Sequence, residues 1–245
     1  MKKVLTLILL LNVVSLTAQN MLPNEILQSV FLIKVGTNTG SCFYVSVDSV
    51  DYLVTAKHLF PSTLPHNSSV EIEILRNDGW LKFKTTLLTH VNSQIDIALL
   101  NMNSSNIKAN LFDLESKNYF VSQECFFVGF PFGLNMEDKG GKMNDGFPIP
   151  FVKKGIVSAF MSDSSGMTQI FLDGHNNPGF SGGPVVVSNF DSESKHKIKI
   201  IGVVSAYLTE NKTIKTPLGD FINNENSGIV LSYAIDHIYE IINRK

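Results

Sequence analysis

Apolar runs of strand length, each closed by a turn, recur along nearly the whole chain of 245 residues. Val70, Ile72 and Ile74 alternate with Glu71 and Glu73, and Ile198 and Ile200 alternate with Lys197 and Lys199. A period of two places the apolar members on one face of a strand. Further β-rich runs cover 30–35, 42–47, 52–55, 80–88, 95–102, 119–128, 155–160, 168–172, 184–187, 200–208 and 228–232. Asn77-Asp78-Gly79, Gly140-Gly141 and Asn176-Asn177-Pro178-Gly179 supply turns between them. Many short strands at these spacings predict an all-β sandwich or barrel architecture. One helix is expected at the end, where Ile235, Ile238, Tyr239 and Ile242 fall at i, i+3, i+4 and i+7. Residues 103–117 read as a polar linker between two β halves. Residues 134–150, rich in Gly, Lys, Asp and Pro, read as a long, mobile surface loop.

Twenty basic and 22 acidic residues give a formal charge of −2. That balance offers no electrostatic footprint for nucleic acid or an anionic membrane. The first residues differ from the rest. Lys2 and Lys3 precede an apolar run over 4–11, extended by Val13 and Val14 and closed by Ser15, Thr17 and Ala18. This is the order of a secretory signal peptide, and the run is short for a membrane span. Residues 1–19 are therefore set apart, with cleavage expected near Ala18 or Gln19 and export of the remainder. Cys42 and Cys125 are the only cysteines. One disulfide and two buried free thiols both fit an exported chain.

Three motifs carry chemistry. In Gly179-Phe180-Ser181-Gly182-Gly183-Pro184 a serine sits in a glycine-rich turn between β runs. A serine hydroxyl attacks a carbonyl effectively only when a base takes its proton. The glycines allow backbone angles that aim the N–H groups of Gly179 and Ser181 at one developing oxyanion. In Thr55-Ala56-Lys57-His58 a histidine follows a strand end, and its ordinary pKa of about 6.5 suits proton transfer near neutrality. The chain has six histidines, and only His58 has this setting. In Ile95-Asp96-Ile97-Ala98-Leu99-Leu100 one acid interrupts an apolar run. A buried carboxylate needs a partner, and an imidazole N–H is a suitable one. The order His58, Asp96, Ser181 is that of the chymotrypsin-type triad, with Ser181 as nucleophile, His58 as base and Asp96 as its orienter.

The chain resembles the trypsin/chymotrypsin-like serine peptidases, and within them the exported bacterial high-temperature-requirement proteases. The resemblance rests on Gly40-Ser41-Cys42-Phe43, TAKH (55–58), DIALL (96–100), VGFPFGL (128–134), KKGIVSAF (153–160), NNPGFSGGPVV (176–186) and IIGVVSA (200–206). It implies two six-stranded antiparallel β-barrels with a C-terminal helix. Residues 20–112 would form the first barrel and 113–245 the second with the closing helix, together one peptidase domain. It also implies that His175 lies at the base of the primary specificity pocket. Ser205, Ala206 and Tyr207 would line the edge that pairs with substrate backbone. Phe180 stands where digestive relatives carry Asp, so activation through a new N-terminus is not expected. His175 supplies no acid for a Lys or Arg side chain. No peptide-binding PDZ module is expected.

The expected activity is that of a serine endopeptidase acting on polypeptides through an acyl-enzyme, without cofactor or metal. No nucleic-acid partner is expected, nor a membrane one after signal removal, and a monomer is favoured. The alternatives are a catalytically silent fold that binds peptides or proteins, and a hydrolase of esters or small acyl substrates.

Overall fold

The computed structural model describes residues 22–102, 113–114, 118–137, 144–188, 198–217 and 219–244. Six strands fill the N-terminal half: β1 (Val30–Val35), β2 (Asn38–Val47), β3 (Val50–Thr55), β4 (Ser68–Arg76), β5 (Gly79–Thr89) and β6 (Ala98–Asn101). They close into an antiparallel barrel in the order β1-β2-β3-β6-β5-β4. The tight β2–β3 turn runs through Asp48 and Ser49, both at positive φ. That handedness matches the twist of the strands it joins.

The C-terminal half holds β7 (Asp113–Leu114), β8 (Glu124–Gly129), β9 (Phe151–Ser162), β10 (Thr168–Asp173), β11 (Pro184–Ser188), β12 (Ile198–Thr216) and β13 (Gly219–Ala234). Six of these run β11-β8-β9-β10-β13-β12, and β11 also pairs with β12, so the antiparallel sheet returns on itself. The two-residue β7 adds a parallel edge pairing at Lys199 and Ile200 that the sequence pattern did not indicate. Two short helices flank the barrels, α1 (Asn24–Leu27) and α2 (His237–Ile242). Among the described residues no helix is long and apolar enough to cross a membrane.

The core explains why so many strands are apolar on both faces. Phe31 and Ile33 of β1 join Cys42, Tyr44, Leu53, Ile72 and Ile74 inside the first barrel. Their neighbours Val30 and Leu32 point the other way, into a cluster with Phe43, Val128, Phe130, Val203 and Tyr233 that joins the two halves. Phe127, Val157, Ile170, Leu172, Phe180 and Val185 fill the second barrel. Alternation along a strand thus serves two packing surfaces at once.

One open alternative is decided, the closing helix forms over a short span, and one expectation changes. Cys42 and Cys125 are both buried and free, one in each barrel. Burial drives both thiols up, that of Cys125 to about 12. The final helix spans only six residues and buries Ile238 and Ile241 while Tyr239 is exposed. The described part of 134–150 is no free surface loop. Met136 and Ile149 exchange backbone hydrogen bonds, Phe147 packs edge-on against Phe31 at 4.8 Å, and the Arg76 guanidinium lies 5.4 Å from its ring. The prolines that made this stretch read as loop flank Ile149, which is buried with Phe147. Of the expected linker, 103–112 and 115–117 lie outside the described residues.

Candidate active site

A short 3-10 turn over Lys57–Leu59 follows β3 and presents His58 at the rim of the first barrel. Asp96 lies just before β6, between the buried Ile95 and Ile97. Its carboxylate accepts the His58 backbone N–H at 2.8 Å on one oxygen and the His58 Nδ1–H at 2.7 Å on the other. The His58 side chain is 48% exposed and that of Asp96 only 14%, so the acid is fixed behind a reachable ring. The hydrogen bond to Asp96 raises the His58 pKa above its ordinary value, against the opposing effect of burial. Burial alone would raise Asp96, but the bonds from His58 and Ser205 outweigh it and bring the carboxyl down.

Ser181 stands in the turn ahead of β11. Its hydroxyl donates to the Ser205 carbonyl at 2.9 Å rather than to His58. The Ser205 hydroxyl in turn donates at 2.5 Å to the Asp96 oxygen that also holds His58. Ser205 therefore touches both Ser181 and Asp96. It was expected only at the substrate edge, and nothing in the sequence signalled its second contact.

Two peptide groups around the serine are oriented from behind. The Pro178 carbonyl accepts the Phe132 N–H at 2.7 Å, and the Phe180 carbonyl accepts the Gly183 N–H at 2.8 Å. In a planar trans peptide the N–H points opposite to the C=O. The N–H groups of Gly179 and Ser181 are therefore aimed away from these anchors, and neither has a backbone partner among the described residues. Gly179 is required twice over. Its φ is +105°, and a Cβ there would lie 2.2 Å from the Phe130 carbonyl oxygen. At Gly182 the Ser41 carbonyl oxygen would be 2.1 Å away.

The buried Ser41 ties the two barrels together beneath this turn. Its hydroxyl donates to the Gly179 carbonyl at 2.7 Å and accepts the Phe130 N–H at 2.9 Å, while its own N–H donates to the Ser181 carbonyl at 2.8 Å. The sequence singled out Gly40-Ser41-Cys42-Phe43 as a motif but assigned Ser41 no role.

Asn176 joins the segments that hold the expected specificity residues. Asn176 is buried, and its Nδ2 donates to the Ala206 carbonyl at 3.2 Å. The Asn226 amide reaches the Asn176 carbonyl at 2.6 Å. The 175–177 and 205–207 segments are thus stitched together. His175 is exposed, Ala206 is exposed and Tyr207 half-buried. The Asn176 Oδ1 is buried without a partner.

A second cluster lies at α2, where ligand atoms of His90, His237 and Glu240 come within 4.8 Å of one another. The outer ring nitrogens accept backbone N–H groups: Asn92 donates to His90 Nδ1 and Thr168 to His237 Nε2. Both imidazoles therefore carry their protons on the inner nitrogens, aimed at one Glu240 oxygen at 2.9 and 2.6 Å. A metal would need the reverse, with the outer nitrogens protonated. The cluster fastens the closing helix to the first barrel, as does Arg244 on the Thr89 and His90 carbonyls.

Comparison with known proteins adds context to this geometry. Residues 40–191 match the trypsin-like peptidase domain. AlgW, an HtrA-type protease solved in a serine-to-alanine form with a tripeptide, is similar at 19% identity with a TM-score of 0.56. That alignment covers 89% of this chain and 60% of AlgW, so the chain spans under two thirds of that relative. Rv3671c from M. tuberculosis H37Rv, in an inactive form, is similar at 13% identity with a TM-score of 0.55, covering 89% of this chain and 86% of that one. No curated protein matches the chain.

Proposed function

This chain belongs to the trypsin-like peptidases, and we propose that it is an exported serine endopeptidase with Ser181, His58 and Asp96 as its triad. The observation that carries the reading is the hydrogen-bond chain from His58 through Asp96 and Ser205 to Ser181. Asp96 holds the Nδ1–H tautomer, which leaves the Nε2 lone pair of His58 as the base. The Ser205 carbonyl sits on the edge expected to pair with substrate backbone. A substrate N–H that takes this carbonyl releases the Ser181 hydroxyl, and a χ1 rotation carries it toward His58.

Ser181 Oγ then attacks the scissile carbonyl as its proton passes to His58. The Gly179 and Ser181 N–H groups stabilise the oxyanion. His58 gives the proton to the leaving amine, and the C–N bond breaks. Water, deprotonated by His58, hydrolyses the acyl-serine ester and restores the enzyme. Export rests on the signal-like residues 1–19, which lie outside the described residues.

One observation favours the silent peptide-binding alternative: the Ser181 hydroxyl rests on Ser205 and not on His58. A peptidyl phosphonate separates the two readings. The peptidase reading expects stoichiometric, irreversible labelling of Ser181 together with cleavage of an unfolded protein. A purified protein that stays unlabelled and leaves the substrate intact is a binding module.

A further inference from the structure

The second barrel brings one ammonium to the segment that carries the expected oxyanion donors. Lys153 pairs with Phe127 in the β8–β9 register and shares its strand face with the buried Val157. The adjacent Lys154 points the other way and pairs with Glu124 at 2.6 Å. The Lys153 ammonium donates to the His175 carbonyl at 2.5 Å and to the Asn177 Oδ1 at 2.5 Å. It also lies 5.5 Å from the centre of the Phe180 ring. Asn177 in turn accepts the Phe180 N–H through its own carbonyl at 3.2 Å.

These contacts bracket the backbone that leads into Gly179. Ordering each residue of such a loop costs on the order of 1–2 kcal/mol of conformational entropy. A compact cation with several donors can bind two separate points of the loop at once. A neutral side chain of the same length would leave the His175 carbonyl and the Asn177 oxygen without this donor, and 175–180 without its tie to β9.

We propose that Lys153 is a positioning residue, whose ammonium holds 175–180 so that the N–H groups of Gly179 and Ser181 converge on the substrate oxygen. This rests on the endopeptidase reading. Its effect belongs to the transition state, since the oxyanion exists only there. A displacement of about 1 Å at such donors lowers turnover by roughly 10²-fold.

The test compares the parent protein with Lys153→Ala, Lys153→Met and the outward-facing control Lys154→Met. Lys153→Ala and Lys153→Met are expected to lower kcat and the phosphonate labelling rate by about 10²-fold, with KM changed little. Lys154→Met should match the parent. Ethylammonium should restore Lys153→Ala in a saturable way, and tetramethylammonium, which cannot donate a hydrogen bond, should not. A kcat that survives the loss of Lys153, or a deficit that ethylammonium does not repair, overturns the assignment. The amine arm keeps the test decisive if Lys153→Met is unstable, because a fold defect is not repaired by a small donor alone. A parent protein that neither labels nor cleaves instead removes the endopeptidase reading, and this inference with it.

Discussion

The two barrels hold the groups of the proposed triad in different states. The first barrel presents its acid and base already joined, with two hydrogen bonds locking His58 onto Asp96. The second presents Ser181 turned aside onto Ser205. The contrast follows from the supports. His58 sits in a turn directly after β3, and its backbone and side chain are bound by one carboxylate. Ser181 has a single rotatable bond, and a carbonyl acceptor lies within reach. A base must be oriented before substrate arrives, because its tautomer sets where the proton goes. A nucleophile can wait, because its rotation costs little. The lesson is that geometry is most rigid where a proton's position must be decided in advance.

The largest effect should come from the second barrel. Replacing Ser181 with Ala is expected to lower kcat about 10⁶-fold and leave only the contribution of binding and the oxyanion donors. Turnover of an unfolded substrate at the parent rate would break the comparison, since the nucleophile would lie elsewhere. Removing the orienting acid from the first barrel should cost less. Asp96→Asn is expected to lower kcat about 10⁴-fold, and pH profiles sharpen the point. Asp96 raises the His58 pKa, so the acid limb of the parent is expected above the ordinary histidine value. In Asp96→Asn that limb should move to lower pH. The stability linkage has the same sign. A raised folded-state pKa stabilises the fold below the unfolded value, and this contribution fades as pH rises through the raised one. The gap in urea midpoint between parent and Asp96→Asn should therefore be wider at acid than at alkaline pH. An unmoved limb would mean that Asp96 does not set the protonation of His58.

The smallest effect should come from the residue that spans both states. Ser205→Ala removes the hydroxyl on Asp96 but keeps the carbonyl under Ser181. A hydrogen bond to a charged group contributes about 1.5–3 kcal/mol, so a loss of roughly 10- to 100-fold in kcat is expected. A variant at the full parent rate would show that the first barrel orients His58 unaided.

Much of this was legible in the residues. Every β-rich run named from the sequence contains or overlaps a strand, because a side chain that must face a core repeats every second position. The far halves of β12 and β13 were not legible. From Thr209 to Thr216 the strand is exposed almost throughout, so backbone pairing holds it and no apolar period announces it. Phe147 and Ile149 were hidden for the opposite reason, since Pro148 and Pro150 signalled a loop while both side chains are buried, Phe147 against Phe31 of the first barrel. Lys153 read as one of two charged residues in a row, and only the strand's alternation turned it inward while Lys154 faced out.

The sequence by itself determined the kind of fold and the identities of the groups that can do the chemistry, because periodicity and residue type are local properties. It singled out His58, Asp96 and Ser181 and the glycines around them. Only the tertiary structure decided that Ser205 links Asp96 to Ser181, that Ser41 clasps one barrel to the other, and that Lys153 reaches the 175–177 segment. Those contacts join residues far apart in the chain, and a hydrogen bond a few ångströms long depends on how strands stack and turn, which no single stretch of sequence encodes.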